Sequence, residues 1–306
     1  MKTALIIGGG GFIGRRLTSH LAQEGVRVTA TTRRDESLPG AARTVRADIT
    51  DTRLMEGLLA DEAFDTVYYL AAVTEHHRLA NAPLDCLDAY VGATVTISKA
   101  FVRSQSRRLV YASTGKVYGP VAARPIREDD PVIPSNILGR IKVLAEAILM
   151  FASRVSPDKQ IVIARIFNIY GPGQKDTFIL PTILNQLRVG PTVALGNLDD
   201  GRDYVYIDDL IDALEILGDR AGPAALEIFN IGTGRPSSVR DMLREIEQLT
   251  SRPIQIQQRT DKMRTDEHSS ECGDFSKLAE LGWQPRHTLS AGIAKCVRQS
   301  YPELLP

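Results

Sequence analysis

Apolar positions along the first half of this chain alternate between two periods. Residues 4–7 form a short apolar run that ends in glycines. Ile13, Leu17 and Leu21 then fall at i, i+4 and i+8, one face of a helix, and Gly25 supplies its stop. Val26, Val28 and Ala30 alternate as a strand. Further short apolar runs at 66–71, 109–113 and 161–166 are separated by helical stretches near 84–104 and 137–154. Strand–helix alternation of this kind predicts an α/β fold, a parallel sheet covered by helices on both faces.

The second half is less regular. Pro172, Pro181 and Pro191 punctuate it. Ser238 followed by Asp241 predicts a helix start, and Val239, Met242, Leu243, Ile246 and Leu249 supply that helix with an apolar side. There is no internal repeat, no low-complexity segment and no clear linker. The expected division is a first domain over 1–170, rejoined by a segment at about 202–232, and a smaller interleaved lobe over 171–306.

Composition narrows the function. With 306 residues, 43% of them hydrophobic, the chain can build one large or two modest cores. Lys plus Arg equals Asp plus Glu at 37 each, so no basic excess is available to hold a nucleic-acid backbone. No apolar run approaches the roughly 18 residues of a membrane span, and the N-terminal run is too short for a signal segment. Cys86, Cys272 and Cys296 are odd in number and far apart. They suggest reduced thiols in a cytoplasmic protein, without a metal site.

The chemistry begins after the first strand. Gly8, Gly11 and Gly14 satisfy G-x-x-G-x-x-G, with Phe12 and Ile13 opening the helix. Glycines at this spacing let the backbone approach a pyrophosphate, which then sits on the helix N-terminus. The strand before, the helix after and the second strand at Val26 supply the context that makes this a dinucleotide site. The second strand of such a unit normally ends in an acid that binds the ribose 2′-hydroxyl. Here the chain reads Thr31-Thr32-Arg33-Arg34. Either Arg33 and Arg34 grip a 2′-phosphate, which favours NADP(H) over NAD(H), or they are solvated loop charges. Asp48, beside Ile49, is placed to meet the adenine edge.

These features, with several later motifs, resemble the extended short-chain dehydrogenase/reductases of the NAD-dependent epimerase/dehydratase family, which modify nucleotide sugars. Tyr69-Leu70-Ala71-Ala72 is similar to the family's HLAA turn under the cofactor. Residues 112–119, ASTGKVYG, resemble its Ser/Thr-x-x-VYG segment, with the catalytic hydroxyl at Thr114. Residues 165–173 match RxFNxYGPG, Gly201-Arg202-Asp203-Tyr204 matches the RDF/RDY segment, and Gly282-Trp283-Gln284-Pro285 matches GWxP. The resemblance implies a Rossmann domain, a doubly wound parallel sheet, with a smaller C-terminal substrate-binding lobe. It implies that Asn168 and Arg202, with Arg264 as a second phosphate ligand, meet the nucleoside diphosphate of a nucleotide-sugar substrate. It also implies a homodimer in which the helices near 84–104 and 137–154 form a four-helix bundle.

The resemblance breaks at the family's catalytic Y-x-x-x-K. Aligned on Gly139 and Lys142, this chain has Leu138 at the tyrosine position. In the family the phenol exchanges a proton with the sugar while hydride moves, and the lysine lowers the phenol's pKa and binds the nicotinamide ribose. Leucine can do neither proton step. Candidates for the missing group are Tyr90, which stands where the family usually has Asn, then Tyr118, Lys116, His76 and His77. The Thr-Asp-Glu signature of 4,6-dehydratases is replaced by Thr114-Gly115-Lys116, leaving epimerase and 4-ketoreductase chemistry. The alternative is a catalytically degenerate protein of the same fold that binds or senses nucleotides. Retention of Thr114, Lys142, Asn168 and Arg202 speaks for an enzyme.

Overall fold

The computed structural model describes residues 1–72, 79, 81–120, 124–220, 222, 224–260 and 271–306. In chain order its elements are β1 (Thr3–Ile7), α1 (Phe12–Gln23), β2 (Arg27–Thr32), β3 (Arg43–Arg46), α2 (Thr52–Asp61), β4 (Thr66–Tyr69), α3 (Pro83–Arg103), β5 (Arg108–Thr114), α4 (Ile137–Val155) and β6 (Gln160–Ile166). There follow β7 (Asn168–Tyr170), α5 (Ile179–Val189), β8 (Thr192–Leu195), β9 (Arg202–Tyr206), α6 (Ile207–Asp219), β10 (Leu226–Ile231), β11 (Pro236–Ser237), α7 (Val239–Thr250), β12 (Gln255–Gln258), α8 (Ser276–Ala279) and α9 (Leu289–Ser300).

The chain divides into two compact units. The first comprises Met1–Gly119, Val132–Ile166 and Ile211–Phe229. Its sheet has the order β10-β6-β5-β4-β1-β2-β3. The pairs β1–β2, β1–β4, β2–β3, β4–β5 and β5–β6 all run parallel. Chain order reverses between β1 and β4, and in open sheets of this type ligands bind outside the strands' carboxyl ends at that reversal. Strands β1, β4, β5 and β6 are buried along almost their whole length, whereas the edge strand β3 is partly exposed. Leu5, Ile7, Val67, Tyr69, Leu109, Ile161 and Ile163 bury one face against Leu58 and Leu59 of α2, Ile97 and Phe101 of α3, and Leu149 of α4. Burial of each such side chain contributes about 1.5–3 kcal/mol.

The second unit comprises Pro120–Pro131, Phe167–Leu210 and Asn230–Pro306. It holds a three-stranded sheet, β11-β9-β7, and the parallel pair β12–β8. Ser238 and Asp241 form a reciprocal capping box at the start of α7, the geometry their spacing predicts. Trp283 of the GWxP segment is buried and donates its indole N–H to the Asp209 carbonyl at 2.9 Å. Among the described residues, no helix is long and apolar enough to cross a membrane.

Candidate active site

The glycine loop closes on itself between β1 and α1. A Cβ on Gly14 would lie 2.3 Å from the Gly8 carbonyl oxygen, so no side chain fits there. Gly8 itself has φ +95°, and Ala71 packs against its Cα. Leu70 donates its N–H to the Ile7 carbonyl at 2.9 Å, which holds the 70–72 turn beside the loop. Gly11 caps α1 without a side chain, and no acid stands in the helix's first turn. The first-turn N–H groups are therefore uncapped by any side chain of the N-cap, and the turn itself brings no acid. This cradle fits a dinucleotide pyrophosphate.

The end of β2 carries an arrangement the linear reading missed. Arg33 and Arg34 are exposed. Thr32 Oγ1 donates to Glu36 Oε1 at 3.0 Å, and Arg15 Nη2 donates to both Glu36 oxygens at 2.6 and 2.7 Å. Arg15 Nε also donates to the Gly10 carbonyl at 3.1 Å. Asp48 is exposed, and its carboxylate accepts from the Thr50 N–H and hydroxyl at 3.0 and 2.8 Å. Ile49 packs against the main core of the first unit.

On the opposite side of the sheet's midpoint, Thr114 ends β5 and caps the short turn Gly115–Val117, its Oγ1 accepting from the Lys116 N–H at 3.3 Å. The start of α4 presses on this turn: a Cβ on Gly139 would lie 2.4 Å from the Lys116 carbonyl oxygen. Asn136 caps α4 by accepting from the Gly139 N–H at 2.8 Å. These constraints carry Lys142 beneath β5. It is 3% exposed, donates to the Ala112 carbonyl at 2.6 Å and lies 4.5 Å over the Tyr111 ring. Burial pushes its pKa from 10.5 down to about 7, against the attraction of Glu146 one turn on.

Glu146 belongs to a buried network that motif spacing did not reveal. It accepts from Arg165 Nη2 at 2.8 Å and Nε at 3.2 Å, and from the Ser113 hydroxyl. Arg165 Nη1 donates to the Tyr118 phenol at 2.9 Å. Tyr118 is thus fastened to a guanidinium. Leu138 packs on a buried apolar cluster of Leu79, Cys86, Tyr90 and Ile141. Tyr90 and the residue replacing the expected tyrosine therefore share one patch. His76 and His77 lie outside the described residues.

In the second unit, Asn168 opens β7 opposite Tyr204 of β9, and Arg202 opens β9 opposite Ser237. Arg202 is largely buried, with Nη2 at 3.7 Å from Asp200. The neighbouring Asp203 is wholly buried and accepts from the N–H groups of Thr233, Gly234 and Gly273 and from the Thr233 hydroxyl at 2.6–3.1 Å. Burial raises its pKa while these donors pull it down. The carboxylate thereby ties three segments around the strand that bears Arg202. Arg264 lies outside the described residues. Among the described residues, no group of His, Cys, Asp and Glu could hold a metal ion.

A family model described as the NAD dependent epimerase/dehydratase family matches residues 4–232. The chain is 32% identical to a UDP-glucose 4-epimerase of Mycolicibacterium smegmatis, over 97% of each protein. It is 28% identical to a UDP-glucose 4-epimerase of Azospirillum brasilense, over 95% of this chain and 89% of that one. Among solved structures, MoeE5 in complex with UDP-glucuronic acid and NAD superposes with a TM-score of 0.89 at 27% identity, covering 98% of this chain and 99% of the other.

Proposed function

This chain belongs to the NAD dependent epimerase/dehydratase family, and we propose that it is an enzyme that modifies a nucleotide-activated sugar with a nicotinamide dinucleotide. The reaction is of epimerase or 4-ketoreductase type. One observation carries the reading. The glycine cradle and the buried Lys142 beneath the Thr114 strand are kept together in a chain that aligns along its length with UDP-glucose 4-epimerases.

In this reading Gly8, Gly11, Phe12, Ile13 and Gly14 hold the pyrophosphate, with the Leu70-Ala71-Ala72 turn alongside. A bound nicotinamide supplies a hydride acceptor and donor. Thr114 orients the reacting hydroxyl and Lys142 holds the nicotinamide ribose. The proton step passes from the position of Leu138 to another group. Tyr90 is the first candidate, because it lies in the same cluster as Leu138. In the second unit, Asn168 and Arg202 bind the diphosphate, joined by Arg264. Arginine suits this task because its planar fork makes charge-assisted bonds to phosphate oxygens. The sensing-protein alternative is not favoured by relatives that are named as enzymes.

We assign NAD(H), the dinucleotide bound by MoeE5; NADP(H), expected from Arg33 and Arg34, finds no support among these relatives. We also propose a homodimer. Leu84 on α3 is 74% exposed, and Leu144, Phe151 and Val155 on α4 are likewise exposed. Pairing two copies of α3 and α4 as a four-helix bundle would cover these side chains. Cys86, Cys272 and Cys296 are buried thiols, which accords with a cytoplasmic setting.

The test uses calorimetry with UDP and NAD+. Arg202→Ala should abolish UDP binding and leave NAD+ binding intact, since Arg202 and the glycine loop belong to different units. Unaltered UDP binding would remove the main physical support for a nucleotide-sugar substrate. Incubation of the wild type with UDP-sugars should yield an isomerised or reduced sugar nucleotide.

A further inference from the structure

The residue that ends β2 is Thr32, which has no charge to offer a ribose hydroxyl. The chain then turns back. Arg34 donates its backbone N–H to Thr32 Oγ1 at 3.2 Å, and Thr32 Oγ1 donates to Glu36 Oε1. The turn returns a carboxylate to the strand end from four positions further on. A Cβ placed on Gly10 would lie 2.4 Å from Thr32 Oγ1 and 3.4 Å from Glu36 Oε1, so the carboxylate borders the glycine loop itself. Glu36 stands 22 residues after Gly14, close to the separation at which an acid meets the ribose of a bound dinucleotide. Arg15, on the first turn of α1, locks it there through both carboxylate oxygens and the Gly10 carbonyl.

We infer that Glu36, and not Arg33 or Arg34, decides the choice between dinucleotides: it accepts the 2′-hydroxyl of the adenine ribose and selects NAD(H) against NADP(H). The inference rests on the glycine loop being a dinucleotide site. A carboxylate oxygen held beside Gly10 can accept from a hydroxyl. A 2′-phosphate at the same place meets like charge, and the Arg15 charge beside it is already paired with Glu36. Arg15 keeps Glu36 ionised, its hydrogen bond lowering the carboxyl pKa, with Thr32 and the Arg34 charge adding to the effect. The sequence alone suggests the reverse preference, because the two arginines follow the strand directly.

Calorimetric titration of the full chain with NAD+ and with NADP+ tests the inference. The wild type should prefer NAD+. Glu36→Gln keeps the shape, removes the charge and frees Arg15, so NAD+ binding should weaken and NADP+ binding strengthen. The ratio of the two affinities should move roughly 10- to 100-fold, the worth of one charge-assisted hydrogen bond. Arg15→Met should move the ratio the other way, because the carboxylate then stands unneutralised. A wild type that prefers NADP+, or a ratio unmoved in Glu36→Gln, overturns the assignment of Glu36. Absence of binding by either dinucleotide to the wild type overturns the dinucleotide site itself.

Discussion

Replacing Lys142 by methionine should make the cofactor-free protein more stable at pH 7 while removing its activity. The Lys142 amine is fully buried, and burial lowers its pKa from 10.5 to about 7. In the unfolded chain it titrates near the free value of about 10.4. Between these limits the unfolded chain binds the proton more tightly than the folded one, so stability must rise with pH from about 7 to about 10.5. At pH 7, keeping this amine inside costs the fold about 4 kcal/mol relative to the same group in water. Lys142→Met removes that cost, but it also loses the bond to the Ala112 carbonyl and the charge over the Tyr111 ring. Those losses amount to about 1–3 kcal/mol. The net gain at pH 7 is therefore about 1–3 kcal/mol, shrinking and reversing as the pH approaches 10. Urea unfolding followed by circular dichroism at pH 7, 8, 9 and 10 reads both the gain and the slope. Turnover of a UDP-sugar should fall to background in the same variant. A less stable Lys142→Met at pH 7, or a wild-type stability that is flat over this range, would refute the reasoning.

Two further predictions concern the altered proton site and the exposed helices. If another group has taken the tyrosine's role, Leu138→Tyr should leave the single-turnover rate unchanged or lower, since it forces a phenol into the cluster of Leu79, Cys86, Tyr90 and Ile141. Tyr90→Phe should then slow it by about 10²- to 10⁴-fold, the usual worth of a positioned acid or base. A large gain in Leu138→Tyr with no loss in Tyr90→Phe would instead mark the natural site as degraded and favour the sensing protein. For the dimer, sedimentation should give twice the chain mass for the wild type and the single mass for Leu84→Glu combined with Leu144→Glu. A monomeric wild type would eliminate the four-helix bundle.

Some of this protein could be read directly from its residues because the relevant physics is local. The alternation of strand and helix follows from side-chain periods of 2 and 3.6. The run predicted at 161–166 is β6, Gln160–Ile166, and the helix expected near 137–154 is α4, Ile137–Val155. Gly8 and Gly14 declared the tight turn because it needs a positive φ and a missing Cβ. Ser238 and Asp241 declared a helix start because a cap joins residues three apart. Leu138 falls where the resemblance expects a tyrosine, an alignment that needs only motif spacing along one helix.

Tertiary structure decided the rest. Motif spacing singles out Lys142, but only the fold seats it under β5 with the Ala112 carbonyl as acceptor. Glu146, Arg165, Ser113 and Tyr118 lie on separate segments, and only the parallel pairing of β5 with β6 brings Ser113 opposite Arg165. Asp203 gathers donors from around residues 233 and 273 that no local pattern connects to it. The arginines after β2 suggested a phosphate because sequence order places them nearest the strand. The backbone turn at Thr32 sets them in solvent and returns Glu36 to the glycine loop. Which charge stands at that point depends on where the chain doubles back, and that is settled by the packing of the folded unit rather than by distance along the sequence.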